Sequence, residues 1–172
     1  MELLPISIGQ AGNQINYQLA NLFKNEKEVI FKGSEGLMKN FLVDTESKVI
    51  KKNYLESPLS KFYLEGVNFI NSNSGRGNNW ALGYSMEYQE YSYYNNHSKQ
   101  NICIESFEKI NKFIEKCDFL KGFLFIHSLN GGTGSGVSSR LIEMLKEEYP
   151  KFSLIDCPVI GFNSNNYLII FS

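Results

Sequence analysis

The sequence predicts an α/β fold in which helices cover both faces of a parallel sheet. Short apolar runs alternate with segments of helical periodicity, and glycine-rich turns join them. Such alternation is typical of parallel strands connected by right-handed crossovers. The 172 residues have room for one domain, and a hydrophobic fraction of 42% supplies enough apolar material for its core.

The first unit of the fold is predicted at the start of the sequence. Residues 3–8 are mostly apolar and predict a strand, in which Pro5 removes one backbone hydrogen-bond donor. Residues 9–13 contain two glycines and predict a turn. The helix after this turn is expected to bury the apolar residues that recur at helical spacing, which are Ile15, Leu19, Leu22 and Phe23.

The middle of the chain carries weaker signals. Residues 41–43 form a second apolar run that predicts a strand ending at Asp44. Residues 49–55 suggest a short helix, and residues 67–70 suggest an edge strand. The next segment, residues 71–79, is rich in Asn, Ser and Gly and therefore predicts a loop.

The clearest helix is predicted between residues 98 and 117. Its apolar positions step by four and three residues: Cys103, Phe107, Ile110, Ile114 and Cys117. We expect Gly122 to end this helix and residues 123–126 to form a strand buried on both faces. A glycine-rich turn follows, and a last helix is predicted from the spacing of Val137, Leu141, Met144 and Leu145.

Composition excludes several classes of partner. The net charge of −1 and the pI of about 6.1 provide no overall attraction for nucleic acid or an anionic membrane, so we expect neither partner. No apolar run approaches the roughly 18 residues of a membrane span, and no signal peptide is recognisable. The three cysteines are widely spaced, which favours reduced thiols, and neither histidine has metal-ligand spacing.

Residues 128–136 are the strongest candidate for a binding site. Four glycines within six residues, between a strand and a helix, allow backbone N–H groups to converge on an anion such as phosphate. The segment is not a P-loop, because Val137 stands where a lysine would be needed, and it lacks the spacing of the dinucleotide fingerprint. A glycine-rich connector that binds nothing is the alternative.

Two polar loops are expected at the same edge of the sheet. Asp44 and Glu46 follow the second strand, and with a hydrated Mg²⁺ between them they favour a polyphosphate. The alternative is a solvated turn in which Asp44 caps a helix. Asn78 either donates its amide to a phosphate or makes an Asx turn.

Four motifs together resemble the nucleotide loops of the tubulin superfamily, in the same order and contexts. They are Gly9-Gln10-Ala11-Gly12-Asn13-Gln14-Ile15, Val43-Asp44-Thr45-Glu46, Gly77-Asn78-Asn79-Trp80-Ala81-Leu82-Gly83-Tyr84 and Gly131-Gly132-Thr133-Gly134-Ser135-Gly136. Within that superfamily, the segment 77–85 and the segment 115–118 ahead of Gly122-Phe123 are most similar to delta-tubulin.

The resemblance implies a three-layer, Rossmann-like GTP-binding domain. It places Asp44 and Glu46 at a Mg²⁺ ion, through water, and it implies GTP contacts for Gln10, Ala11, Gln14, Glu46, Asn78, Ser128, Gly131, Gly132, Thr133 and Gly134. It supplies no catalytic residue, because the family's GTPase reaction uses an acidic residue of the neighbouring subunit. Whether the chain is itself an enzyme is therefore left open.

The resemblance also implies partners and a location. The expected partners are other tubulin-family subunits and microtubule or centriolar structures, in the cytoplasm and cytoskeleton, with a delta-type role at the centriole or basal body. The match fades after about residue 150, so we divide the chain into a partial GTP-binding domain, residues 1–155, and a poorly matching end, residues 156–172. We expect a truncated domain that does not polymerise.

Two other interpretations stay open at this point. A nucleotide-dependent enzyme of the dinucleotide-binding class would use an acidic residue, for which Asp44 is the candidate, to bind a ribose. Alternatively, the sequence is that of a non-functional, truncated gene product.

Overall fold

The computed structural model describes residues 2–23, 38–63, 68–85 and 101–161. Its strands are β1 (Glu2–Ile8), β2 (Phe41–Asp44), β3 (Phe69–Asn71), β4 (Leu120–Ser128) and β5 (Ser153–Val159). Its helices are α1 (Gly9–Phe23), α2 (Lys48–Ile50), α3 (Trp80–Tyr84), α4 (Ile102–Ile114) and α5 (Ser138–Glu148). Single helical turns of other types occur at Lys51–Leu55, Ser60–Phe62 and Thr133–Val137.

The five strands form one parallel sheet in the order β3-β2-β1-β4-β5, which confirms the predicted fold class. β1 lies in the middle, where Ile6 is level with Phe41 on one side and Phe125 on the other. The chain turns away from β1 in opposite directions to reach β2 and β4. The carboxyl ends of these strands therefore meet at a switch point, where open α/β sheets bind their ligands.

Pro5 is tolerated in this central strand because the sheet is narrower at that end. β4 runs beside the whole of β1, but β2 pairs only with the last three residues, Ile6–Ile8. Pro5 therefore lies before the point at which β2 joins the sheet. At that position β1 pairs with β4 but not with β2.

Two apolar clusters form the core. One packs α4 and α5 against the sheet, with Cys103, Ile110 and Leu141 fully buried. The other surrounds Tyr54, which is fully buried among aromatic neighbours such as Tyr63. The helix predicted between residues 98 and 117 is confirmed from Ile102 to Ile114, and residues 98–100 of that prediction lie outside the described residues.

The predicted buried face of α1 is only partly right, because Leu19 and Phe23 are half-buried against the cluster around Tyr54 but the other two residues are exposed. Ile15 is 37% exposed and Leu22 is 72% exposed, whereas the buried positions of this helix are Gly9, Gly12, Asn13, Asn16 and Ala20. The most deeply buried positions of α1 are thus occupied by glycine, alanine and asparagine. Apolar periodicity did not reveal them because none of these buried side chains is a large hydrophobic one.

Close approach to the sheet explains that composition. A side-chain carbon on Gly12 would lie only 2.2 Å from the carbonyl oxygen of Ile126, so the helix backbone almost touches β4. Asn13 donates from Nδ2 to the carbonyl oxygen of Val43 at 3.0 Å, which ties α1 to β2. Hydrogen bonds therefore join α1 to the sheet where larger side chains have no room.

Two smaller predictions about glycines are also corrected. The turn expected at residues 9–13 is reduced to Gly9, which has φ +74° and begins α1 directly after β1. Gly122 does not end a helix but lies inside β4, where a side-chain carbon would approach Ser153 O to 2.3 Å. Both glycines are needed for close backbone approach.

Among the described strands, β5 lies at the edge of the sheet, and most of its residues are exposed. Residue 155, the predicted domain boundary, lies inside this strand, which pairs with β4 along its whole length. No helix among the described residues is long and apolar enough to cross a membrane.

Candidate functional site

A cleft of about 450 Å³ opens at the carboxyl ends of the central strands. It collects residues from four separate segments: the start of α1, the turn after β2, the loop before α3 and the glycine-rich turn. Six of the predicted site residues line it, namely Gln10, Asp44, Glu46, Asn78, Gly132 and Thr133. Parallel strands account for this convergence, since their carboxyl ends share one edge of the sheet.

The glycine-rich turn forms one wall of the cleft. Gly131 has φ +92°, a backbone conformation that favours glycine. A side-chain carbon on Gly132 would lie 2.4 Å from Cβ of Arg76, so this backbone is packed against the loop before α3. Helical geometry begins at Thr133, earlier than predicted, and the first N–H groups of such a turn have no partner inside it. The turn thus supplies the donors that an anion requires.

Asp44 is the buried carboxylate of the cleft. It is 4% exposed, and its Oδ1 accepts a hydrogen bond from the backbone N–H of Glu46 at 3.2 Å. Burial raises the pKa of Asp44 to about 6, because desolvation of the charged form outweighs the hydrogen bonds that it accepts. A bound cation would reverse this effect by stabilising the charged form.

Glu46 is the second carboxylate and is exposed in the cleft. Its Oε1 lies beside Gly75, where a side-chain carbon would approach it to 2.9 Å. The two carboxylates offer the oxygen ligands that Mg²⁺ prefers, one buried and one open to water. Among the described residues, no group of three or more His, Cys, Asp or Glu side chains is positioned to hold a metal, so an ion here would keep several of its waters.

The side chain of Asn78 makes no hydrogen bond within the described part of the chain. Its backbone has φ 58°, in the left-handed region. The capping role belongs instead to Asn79, whose Oδ1 accepts a hydrogen bond from Ala81 N–H at 2.9 Å. Of the two interpretations of Asn78, this arrangement favours contact with a ligand. Asn78 Oδ1 lies 3.3 Å from the position of a side-chain carbon on Gly131, so it sits across from the glycine-rich turn.

A hydrogen bond between hydroxyl groups joins two walls of the cleft. Thr45 is buried, and its hydroxyl contacts that of Thr133. The turn after β2 is thereby connected directly to the glycine-rich turn.

A second cavity, of about 530 Å³, is lined by Ala11 and Gln14 together with Val159. Gln10 lines the first cavity and Ala11, its neighbour in sequence, lines the second. The remaining predicted residues shape the glycine-rich turn without lining either cavity: Ser128, Gly131 and Gly134. Ser128 Oγ, for example, accepts a hydrogen bond from Asn130 N–H at 3.1 Å.

The structure adds two cationic residues to the first cavity, Lys48 and Arg76. Arg76 is 3% exposed and donates from Nη1 to the carbonyl and hydroxyl oxygens of Ser74. Sequence reasoning missed both residues because isolated basic side chains are usually solvated. The available signal was their position, since Lys48 follows Glu46 by two residues and Arg76 directly precedes Gly77.

His127 holds the glycine-rich turn to the rest of the domain. It is 4% exposed, with Nδ1 lying 2.8 Å from the carbonyl oxygen of Gly134 and 2.9 Å from Ser138 Oγ. Its Nε2 lies 2.9 Å from Oδ1 of Asp156 on β5. The imidazole ring therefore braces the turn against α5 and β5.

The fold and the cleft define a class of protein: an open, doubly wound α/β domain with a glycine-rich turn at its switch point. Comparison with known families identifies which member of that class it is. Residues 2–169 match the Tubulin/FtsZ family, GTPase domain, and the chain belongs to that family.

Several tubulin beta chains are similar in sequence to this chain. The chain is 30% identical to the tubulin beta-6 chain of Gallus gallus, in an alignment that covers 93% of this chain and 39% of the relative. It is 31% identical to the tubulin beta-3 chain of Echinococcus multilocularis and 30% identical to the tubulin beta-1 chain of Homo sapiens, with the same coverage. The chain thus spans about two fifths of the length of these relatives.

Proposed function

We propose that this chain binds GTP together with Mg²⁺ in the cleft at the switch point. The observation that carries the proposal is the convergence of four sequence-distant segments on one cleft of about 450 Å³ in a chain of the Tubulin/FtsZ family. The cavity has the size of a small-molecule site, and its polar groups suit phosphates. Family membership favours this interpretation over a dinucleotide-dependent enzyme.

Phosphate binding is assigned to the glycine-rich turn and to two side-chain amides. The N–H groups around Gly132 and Thr133 supply backbone donors at the positive end of a helix. Gln10 and Asn78 face the same cavity and contribute side-chain amides. Ser128, Gly131 and Gly134 act indirectly, by holding the turn in shape.

The metal ion is assigned to the two carboxylates. Asp44 and Glu46 would hold a hydrated Mg²⁺, which neutralises the phosphates when bound. The nucleoside is assigned to the second cavity, beside Ala11 and Gln14, because that cavity begins at the residue next to Gln10. Under this assignment, one GTP molecule lies along the first turns of α1.

The finer proposal is a delta-type role in the microtubule cytoskeleton, at the centriole or basal body, with other tubulin-family subunits as partners. It is supported by the resemblance of segments 77–85 and 115–118 to delta-tubulin. We also propose that the chain is divided into a partial GTP-binding domain, residues 1–155, and an end segment, residues 156–172. A fluorescently tagged chain is expected to concentrate at centrioles in dividing cells, and a uniform cytoplasmic distribution would contradict this role.

Equilibrium binding of a fluorescent GTP analogue to the full chain tests the proposed site. We expect saturable binding that unlabelled GTP displaces and that weakens when Mg²⁺ is removed. Glu46→Gln should weaken binding roughly tenfold in Mg²⁺, since a charge-assisted contact of about 1.5 kcal/mol is lost. In metal-free buffer the same variant should bind better than the unaltered chain, because the carboxylate of Glu46 no longer repels the phosphates.

Glu56→Gln is the matched control, because Glu56 is also exposed but lies outside the cleft. It should leave binding unchanged under both conditions. Absence of displaceable binding, or equal behaviour of the two glutamate variants, would contradict the proposed site.

A further inference from the structure

We propose that Lys48 is a phosphate-binding residue that makes affinity depend on the number of phosphates in the nucleotide. This inference rests on the proposed GTP function and deepens it. Lys48 begins α2, two residues after Glu46, and it lines the first cavity. Its side chain is exposed, so the ammonium group is free to move toward a ligand.

The charge on Lys48 is uncommitted within the described part of the chain. Two other lysines do form ion pairs there: Lys39 lies 2.9 Å from Glu2 Oε1, and Lys109 lies 2.9 Å from Glu105 Oε1. Lys48 has no ion pair or hydrogen bond of its side chain with any described residue. A ligand can therefore engage its ammonium group without breaking an existing contact.

Besides Lys48, the only positively charged side chain among the described residues that line the cleft is Arg76, which donates hydrogen bonds to Ser74. Asp44 and Glu46 are acceptors when ionised, and they repel phosphate oxygens wherever a metal ion does not stand between them. The glycine-rich turn offers N–H dipoles but no lysine, because Val137 follows Gly136. An ammonium group is a compact point charge on a flexible stem, which suits it to phosphate oxygens.

The position of Lys48 assigns it to the phosphate end of the ligand. Lys48 lines the first cavity together with Asn78 and Thr133, whereas Ala11 and Gln14 line the second. A contact in the first cavity acts on phosphates and leaves the nucleoside untouched. Its loss should therefore weaken GTP most, GDP less and GMP least.

The test compares Lys48→Gln with Lys51→Gln in the full chain. It measures how well GTP, GDP and GMP each displace the fluorescent GTP analogue. Lys51 is exposed on the helical turn directly after α2 and does not line the cleft. We expect Lys48→Gln to weaken GTP binding roughly tenfold, as one charge-assisted contact would, with less effect on GDP and none on GMP. Its binding should also depend less on salt, because one ionic contact is missing.

Lys51→Gln should match the unaltered chain for all three nucleotides. If Lys48→Gln also binds all three nucleotides like the unaltered chain while Glu46→Gln weakens binding, the role of Lys48 is overturned and the proposed GTP site stands. An equal loss for GTP, GDP and GMP would likewise overturn it, since that result indicates a structural effect. If the unaltered chain binds no GTP, both proposals fall.

Discussion

At the scale of single residues, Asp44, which we propose as a Mg²⁺ ligand, shows how burial of a carboxylate lowers stability. The sequence predicted its place at the end of β2, and the structure adds that its carboxylate is buried. Burial raises the pKa of Asp44 to about 6 from an ordinary value of 3.8. The folded state therefore holds a proton that the unfolded state releases between these two pH values, and stability falls as pH rises through that window.

Asp44→Asn should accordingly stabilise the metal-free protein at pH 8. The change removes the cost of burying a charge, about 3 kcal/mol for a shift of this size, and Asn Oδ1 can still accept from Glu46 N–H. At pH 4.5 the gain should fall to about one third, because Asp44 is then mostly protonated in the folded state but still mostly ionised in the unfolded state. Thermal unfolding at both pH values measures the difference.

The control for this pH dependence is Asp118→Asn, since Asp118 is exposed. It should change the melting temperature little at either pH. A gain for Asp44→Asn that is the same at pH 4.5 and pH 8 would show that burial of charge is not its cause.

At the scale of secondary-structure elements, α1 is the helix whose most deeply buried positions the sequence did not predict. Apolar periodicity predicted that this helix exists. Which side of it faces the sheet depends on how closely its backbone approaches β4. Gly12 lies against Ile126 of β4, and Asn16 accepts at Oδ1 from Asn40 Nδ2 at 2.8 Å. Tyr54 also donates its hydroxyl to the carbonyl oxygen of Asn13 at 2.8 Å. These contacts fix the helix that carries Gln10 into the cleft.

Gly12→Ala should disturb this packing. Its new side-chain carbon would meet backbone 2.2 Å away, which a small rotamer change cannot relieve. We expect a loss of about 1–3 kcal/mol in the free energy of unfolding, as in other over-packed sites. Denaturant unfolding measures the loss. Gln18→Ala, at an exposed position of the same helix, should be nearly neutral, and equal effects of both changes would contradict the close-packing argument.

At the scale of the whole molecule, the sheet combines a protected centre with an exposed edge. β1 and β4 are flanked on both sides, whereas β5 is flanked on one side and leaves Ile155 41% exposed. An edge strand with apolar side chains can pair with another chain. The described part of this protein therefore carries its main association risk at β5.

Ile155→Lys should reduce self-association of the isolated chain, since a charge on an edge strand opposes pairing between edges. Light scattering at increasing protein concentration measures the effect. Leu22→Lys is the matched control: Leu22 is 72% exposed, but it lies on the helix α1 and not on a strand. If both lysine variants scatter equally little, exposed apolar area rather than the strand edge drives association.

By itself, the sequence determined the α/β class, most of the strands, and the residue types of the loops that we propose to bind phosphate. These features are local: strand runs, glycine spacing and carboxylates such as Asp44 and Glu46 can be recognised without knowing what surrounds them. Because parallel strands end at one edge, even the meeting of the loops could be expected.

The tertiary structure alone decided which faces are buried and which charges enter the cleft. The polar face of α1 depends on its distance from Ile126, which no periodicity records. The places of Lys48 and Arg76 depend on how separate loops pack together. Burial and proximity are properties of the assembled sheet, and they set both the pKa of Asp44 and the charge available to a ligand.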